Sequence, residues 1–124
     1  MVRGGCVAFT KKDKSIYMTL EAPVQKKIME LIEERMHNKG DIFIMRCHTG
    51  HAFKNQHAII KLAPKGTPDL MVLFKKKAYG FECKRPKGGR LGADQIRVRK
   101  IFKKIGIEYH TVRSVSQVKK ILNI

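Results

Sequence analysis

The chain has 124 residues, 27 Lys and Arg against 10 Asp and Glu, a net charge of +17 and 43% hydrophobic residues. That length suits one domain with its own core; three widely spaced cysteines exclude a disulfide framework, and no apolar run reaches the roughly 18 residues that a membrane helix needs. So large an excess of one sign excludes a surface evolved for solubility alone and points to a polyanion: nucleic acid before an anionic membrane, since no long basic amphipathic helix stands out.

Residues 1–18 read as a basic arm carrying Lys11, Lys12 and Lys14. Its four-residue apolar run is too short for a signal peptide, and the unpaired cysteines suit a reducing compartment, so a cytoplasmic setting is expected. Thr19 offers an N-cap and Pro23 a first-turn position for a helix that Gly40 stops. Val24, Ile28, Leu31 and Ile32 share one face of it. "DIFIMRC" (41–47) reads as a strand. Residues 48–66 read as a long loop or loose hairpin; their His48, His51 and His57 fit no common zinc spacing.

"DLMVLF" (69–74) is a strong strand, and "KKKAYG" a turn with Lys75, Lys76 and Lys77 at its tip. "FECKR" (81–85) returns as the second arm of this hairpin, and "PKGGRLG" breaks the pattern. "ADQIRVRKIFKKIG" (93–106) is a helix with Val98, Ile101, Phe102 and Ile105 as its apolar face. "IEYHTV" (107–112) is a last strand, and Ser114 with Gln117 has capping-box spacing ahead of a final helix. The order predicts an α/β fold with a mixed central sheet flanked by helices.

Two acids stand out in this basic chain. Asp69 begins one arm of the hairpin, fixed by "GTP" before it, and Glu82 lies in the other. Alternation along a strand puts Glu82 and Lys84 on one face, opposite Phe81, Cys83 and Arg85. Alone, that pair suits an ordinary exposed surface salt bridge better than a site. Within a hairpin, however, Asp69 and Glu82 can converge, and converging carboxylates repel unless a cation sits between them. A hard divalent ion is the usual solution, and Lys84 could then hold an attacking water or stabilise charge on a phosphate. Glu21 falls within the apolar arc of the first helix, where a carboxylate needs a partner or serves the helix dipole. Gln95 lies at the edge of its helix's apolar arc and can look toward the sheet.

Together, Glu21 with "VQKKIMELI", then "GTPDLMVLF", "FECKRPKG", Gln95 and "GIEYHTVRS" resemble the virus-type replication-repair (VRR-Nuc) family of the PD-(D/E)xK nuclease superfamily. The resemblance spans about residues 19–122, so residues 19–124 are expected to form one nuclease domain. It implies the restriction-endonuclease-like αβββαβ core and hydrolysis of DNA phosphodiesters with Mg²⁺ or Mn²⁺, leaving a 5′-phosphate. Carried over, Asp69 and Glu82 are metal ligands joined by the backbone carbonyl of Cys83, and Glu21 is the helix acid near the metal. Lys84 matches the catalytic lysine and Gln95 the helix glutamine. Short standalone members look like phage or prophage proteins. The resemblance therefore also implies a homodimer acting on four-way (Holliday) junctions, in a host bacterial cytoplasm if phage-encoded. Two sites related by a two-fold axis would suit two symmetric cuts.

Between Lys84 and Lys104 the only acid is Asp94. Lys87 and Arg90 in the glycine-containing loop, Arg97 and Arg99 on the helix, and Lys75 and Lys76 at the hairpin tip are the expected DNA contacts. With no Trp and few other aromatics, phosphate contact rather than base stacking is expected to dominate.

Overall fold

The computed structural model describes residues 22–49, 51–55 and 58–124. The arm at 1–18, Thr19, Glu21 and His57 lie outside the described residues. The elements are α1 (Ala22–Lys39), β1 (Ile42–Arg46), β2 (His51–Asn55), β3 (Ala58–Lys61), β4 (Leu70–Phe74), β5 (Lys77–Cys83), α2 (Ala93–Ile105), β6 (Glu108–Val112) and α3 (Val115–Leu122). This is an α/β fold with a four-stranded mixed sheet in the order β1-β4-β5-β6 and a separate antiparallel β2–β3 hairpin. The hairpin resolves the ambiguous 48–66 stretch and carries a register irregularity between Phe53 and Asn55.

In the main sheet β1, β4 and β5 run antiparallel to their neighbours, while β6 joins β5 in parallel. A parallel neighbour requires a crossover, and α2 supplies it. Helices α1 and α3 pack together on one sheet face and α2 lies on the other. The core sits under α1 and α3: Val24, Ile28 and Ile32 meet Ile44, Leu70, Val72, Phe81 and Val112, and Val118 and Leu122 close it from α3. At α1's end Gly40 takes φ +63° and its N–H donates to the Met36 carbonyl at 3.0 Å.

Two expectations need correction. The β4–β5 turn is only two residues, since Phe74 pairs with Lys77. Lys75 and Lys76 both take positive φ, 50° and 65°, the twist that a tight hairpin demands. Lys77, Ala78, Tyr79 and Gly80 therefore belong to the strand. On α2, only Val98 of the expected apolar face is buried, while Ile101 and Ile105 are exposed. Among the described residues this helix meets the sheet at β6 and, through Phe102 against Gly80, at β5, and Ile101 and Ile105 lie outside that contact.

No helix among the described residues is long and apolar enough to cross a membrane.

Candidate active site

Asp69 is set in place by the chain before it. The Thr67 N–H and hydroxyl both donate to the Pro64 carbonyl, at 3.1 and 2.7 Å, closing a tight turn. Gly66 takes φ +94°, and a Cβ there would stand 2.2 Å from the Asp94 carbonyl oxygen. Only glycine allows both that φ and that approach of the α2 N-terminus. Pro68 is fully buried. It packs on Gly80, where a Cβ would lie 2.6 Å from the proline Cγ. Asp69 then stands at the mouth of β4. Its carbonyl accepts from the Cys47 N–H at 2.8 Å, and its Oδ2 accepts from the Cys83 N–H at 2.8 Å.

Leu70 pairs with Phe81, so the next positions outward, Asp69 and Glu82, stand across from each other. Glu82 is 3% exposed and Lys84 6%. A surface ion pair is thereby excluded: both charges lie beneath α2. The Lys84 Nζ is 3.6 Å from Glu82 Oε2. Gln95, from the first turn of α2, joins them. Its Nε2 donates to Glu82 Oε2 at 2.7 Å, and its Oε1 accepts from Lys84 Nζ at 3.2 Å and from the Gly92 N–H at 2.9 Å. With its oxygen facing two donors and its nitrogen a carboxylate, the amide has one consistent orientation.

Tyr109 is a site residue that sequence reasoning missed. Its hydroxyl donates to the Gly66 carbonyl at 3.1 Å, and Phe102 of α2 meets its ring edge-on at 5.5 Å between centroids. Burial first, and then the Glu82 and Asp69 carboxylates, push the phenol well above its ordinary range. Both carboxylates thus act on one half-buried hydroxyl, in keeping with their facing positions in the hairpin register. The signal was available: Tyr109 lies on the face of β6 that Gly80 and Glu82 occupy on β5. Burial and the Asp69 charge likewise raise the Cys47 thiol.

The predicted residues divide by distance from this cluster. Asp69, Glu82, Lys84 and Gln95 come together, with Cys83 contributing backbone between them. Glu21 lies outside the described residues. Lys87 and Arg90 are exposed on the loop that follows Lys84. Arg99 joins Lys100, Lys103, Tyr109 and His110 around a cleft of about 600 Å³ between α2 and β6. Arg97 is exposed and 3.8 Å from Asp94. Lys75 and Lys76 sit at the opposite end of the hairpin, where Lys75 Nζ lies 5.0 Å from the Phe74 ring centroid; they are not part of the cluster.

Among the described residues, no three His, Cys, Asp or Glu side chains form a metal-holding group. The candidate donors here are two carboxylates and a main-chain carbonyl. No family model, curated protein or solved structure matches this chain.

Proposed function

We propose that this protein is a metal-dependent DNA nuclease with a PD-(D/E)xK-type site. The observation that carries the reading is the burial of Glu82 and Lys84, bridged by Gln95 and set opposite Asp69, in a chain of net charge +17. Removing a carboxylate and an ammonium from water costs several kcal/mol per ion, and apolar residues of similar size would often be as stable or more so. A protein that only bound polyanions would have no need of these acids beside its basic surface.

The donors fit a hard divalent cation, since two carboxylates from facing positions of β4 and β5 supply oxygen ligands. Asp69, Glu82 and the Cys83 carbonyl would hold Mg²⁺ or Mn²⁺. Such an ion would polarise the phosphodiester and make a nearby water more acidic. The Lys84 ammonium can donate to that water or to a phosphate oxygen, stabilising charge as it develops. Gln95 fixes Glu82 and Lys84 relative to each other and shields them from bulk water. Hydrolysis then adds water to phosphorus and expels the 3′ oxygen, which takes a proton; the products are a 5′-phosphate and a 3′-hydroxyl. Lys87 and Arg90 on the loop after Lys84 and Arg99 in the cleft beside Tyr109 would offer cationic side chains to the flanking phosphates. Preference for four-way junctions, and a dimer to cut them symmetrically, rest on the family resemblance.

Labelled linear, flapped and four-way DNA incubated with Mg²⁺, Mn²⁺ or EDTA tests the reading. Metal-dependent cutting is expected, and Glu82→Gln, which keeps the side-chain shape but removes the charge, should abolish it while DNA binding persists. Binding without metal-dependent cutting of any of these substrates would overturn the nuclease reading in favour of a non-catalytic nucleic-acid-binding protein.

A further inference from the structure

The loop between β5 and α2 is basic, exposed and rich in glycine, yet it has a defined path. Arg85, Lys87 and Arg90 are exposed on it. Gly88 and Gly89 follow one another at φ +75° and +74°, a left-handed pair that other residues resist. What holds this loop is Arg113, from the junction between β6 and α3. Its Nη1 donates to the Arg85 carbonyl at 2.9 Å and to the Gly88 carbonyl, and its Nη2 to the Gly89 carbonyl at 2.9 Å. Its own N–H donates to Gln117 Oε1 at 2.6 Å, which ties the residue to the start of α3.

Arg113 therefore differs from the other cations of this surface. Its guanidinium points at three main-chain carbonyls of a single loop, and among the described residues no carboxylate partners it there. Those hydrogen bonds oppose the mutual repulsion of Arg85, Lys87 and Arg90. The loop in turn overlies the site: a Cβ on Gly89 would be 3.6 Å from Lys84 Cδ, so the pinned strand of backbone rests on the aliphatic stem of Lys84. The Lys84 N–H is also bound to the Val112 carbonyl at 2.9 Å, immediately before Arg113 in sequence.

We infer that Arg113 is a positioning residue: its planar fork folds the 85–91 loop into one conformation, which seats Lys84 and sets Lys87 and Arg90 toward phosphate. The structural part stands by itself, and the kinetic consequence rests on the nuclease reading. Charge alone would not suffice. Lysine keeps the charge but cannot span three carbonyls with a fixed fork.

The experiment has two arms. In the first, the folded full chain is treated with trypsin, and nicking at Lys87–Gly88 and Arg90–Leu91 is followed by mass. Losing about 1.4 kcal/mol or more of local hydrogen bonding should speed nicking at these two bonds about tenfold in both Arg113→Lys and Arg113→Ala, with cleavage elsewhere unchanged. Gly89→Ala attacks the same loop conformation through its positive φ and should give the same localised acceleration, so the inference stays testable if an Arg113 variant fails to fold. Protection at wild-type level in Arg113→Lys or in Gly89→Ala would overturn it. In the second arm, Arg113→Lys should lower kcat on the DNA that the wild type cuts by about tenfold while the salt dependence of DNA binding stays the same, because the phosphate-neutralising charge is conserved. Rescue of kcat by lysine would reduce Arg113 to a point charge and overturn the positioning role. Should no DNA be cut by any form, the nuclease reading fails while the proteolysis arm still decides the loop.

Discussion

The sheet face turned toward α2 has two halves with inverted chemistry. Over β5 and β6 it buries charge: Glu82 and Lys84 are 3% and 6% exposed. Over β1 and β4 the same face leaves apolar side chains in water, with Phe43 50% and Leu73 43% exposed and paired across the strands. A buried carboxylate or an open apolar face is more informative than the reverse, because each runs against the solvation cost. The difference follows from one helix. α2 reaches the sheet through Phe102 against Tyr109 and Gly80, and leaves β1 and β4 uncovered. Where α2 covers the sheet, the polar groups are matched by Gln95. Where it does not, the apolar residues resemble ordinary core positions in sequence but have no layer above them among the described residues.

The contrast can be broken most forcefully at Lys84. Lys84→Ala leaves the Glu82 carboxylate buried without its ammonium, and the cost should be about 3–5 kcal/mol. Phe43→Thr on the open half should cost under about 1 kcal/mol, since it removes little buried surface. Urea denaturation measures both, and similar losses would dissolve the distinction between the halves.

A smaller effect is expected where α2 meets the sheet. Gly80→Ala places a Cβ 2.6 Å from Pro68 Cγ and 3.0 Å from Phe102 Cε2. Such overpacking should destabilise the fold by about 1–3 kcal/mol. Thermal unfolding unchanged from wild type would mean that α2 is not seated as tightly as this contact requires.

On the covered half, a modest effect sharpens the comparison through pH. Tyr109→Phe removes the hydroxyl that donates to Gly66 and should cost about 1 kcal/mol near neutral pH. The folded state holds the Tyr109 proton more tightly than the unfolded chain does, through burial and the neighbouring Glu82 and Asp69 charges. Unfolding above the ordinary tyrosine value of about 10 therefore releases a proton. The stability from this group is full below that pH and is lost as pH rises beyond it. The gap between wild type and variant should accordingly shrink from about pH 8 to about pH 11. A constant gap across that range would remove Tyr109 from the influence of the two carboxylates.

Much of the architecture was legible because local rules dictated it. The period of Val24, Ile28 and Ile32 marked α1, and the apolar run "DLMVLF" with the returning "FECKR" marked β4 and the end of β5. Gly106 stops α2 with φ +83°. Ser114 caps α3, accepting from the Gln117 N–H at 3.3 Å. The expected reciprocal bond shifts by one residue, since the Gln117 side chain takes the Arg113 N–H instead. The start of β5 was misjudged because three consecutive lysines look like a loop. The strand instead begins at the third of them, where its pairing with Phe74 takes over from local preference. The face of α2 was misjudged for the converse reason: Ile101 and Ile105 have helical spacing, but spacing cannot tell how wide a sheet lies beneath.

The sequence by itself determined the order of elements, the facing of Asp69 and Glu82 across a hairpin, and the placement of Glu82 and Lys84 on one strand face, because all three follow from fixed backbone periods. Tertiary structure alone decided that this face is buried, that Gln95 joins the pair, that Tyr109 stands beside it and that Arg113 holds the basic loop. Those contacts join residues 11 to 43 positions apart. No local period encodes which helix covers which strands, and the solvation of a charge depends on that covering layer.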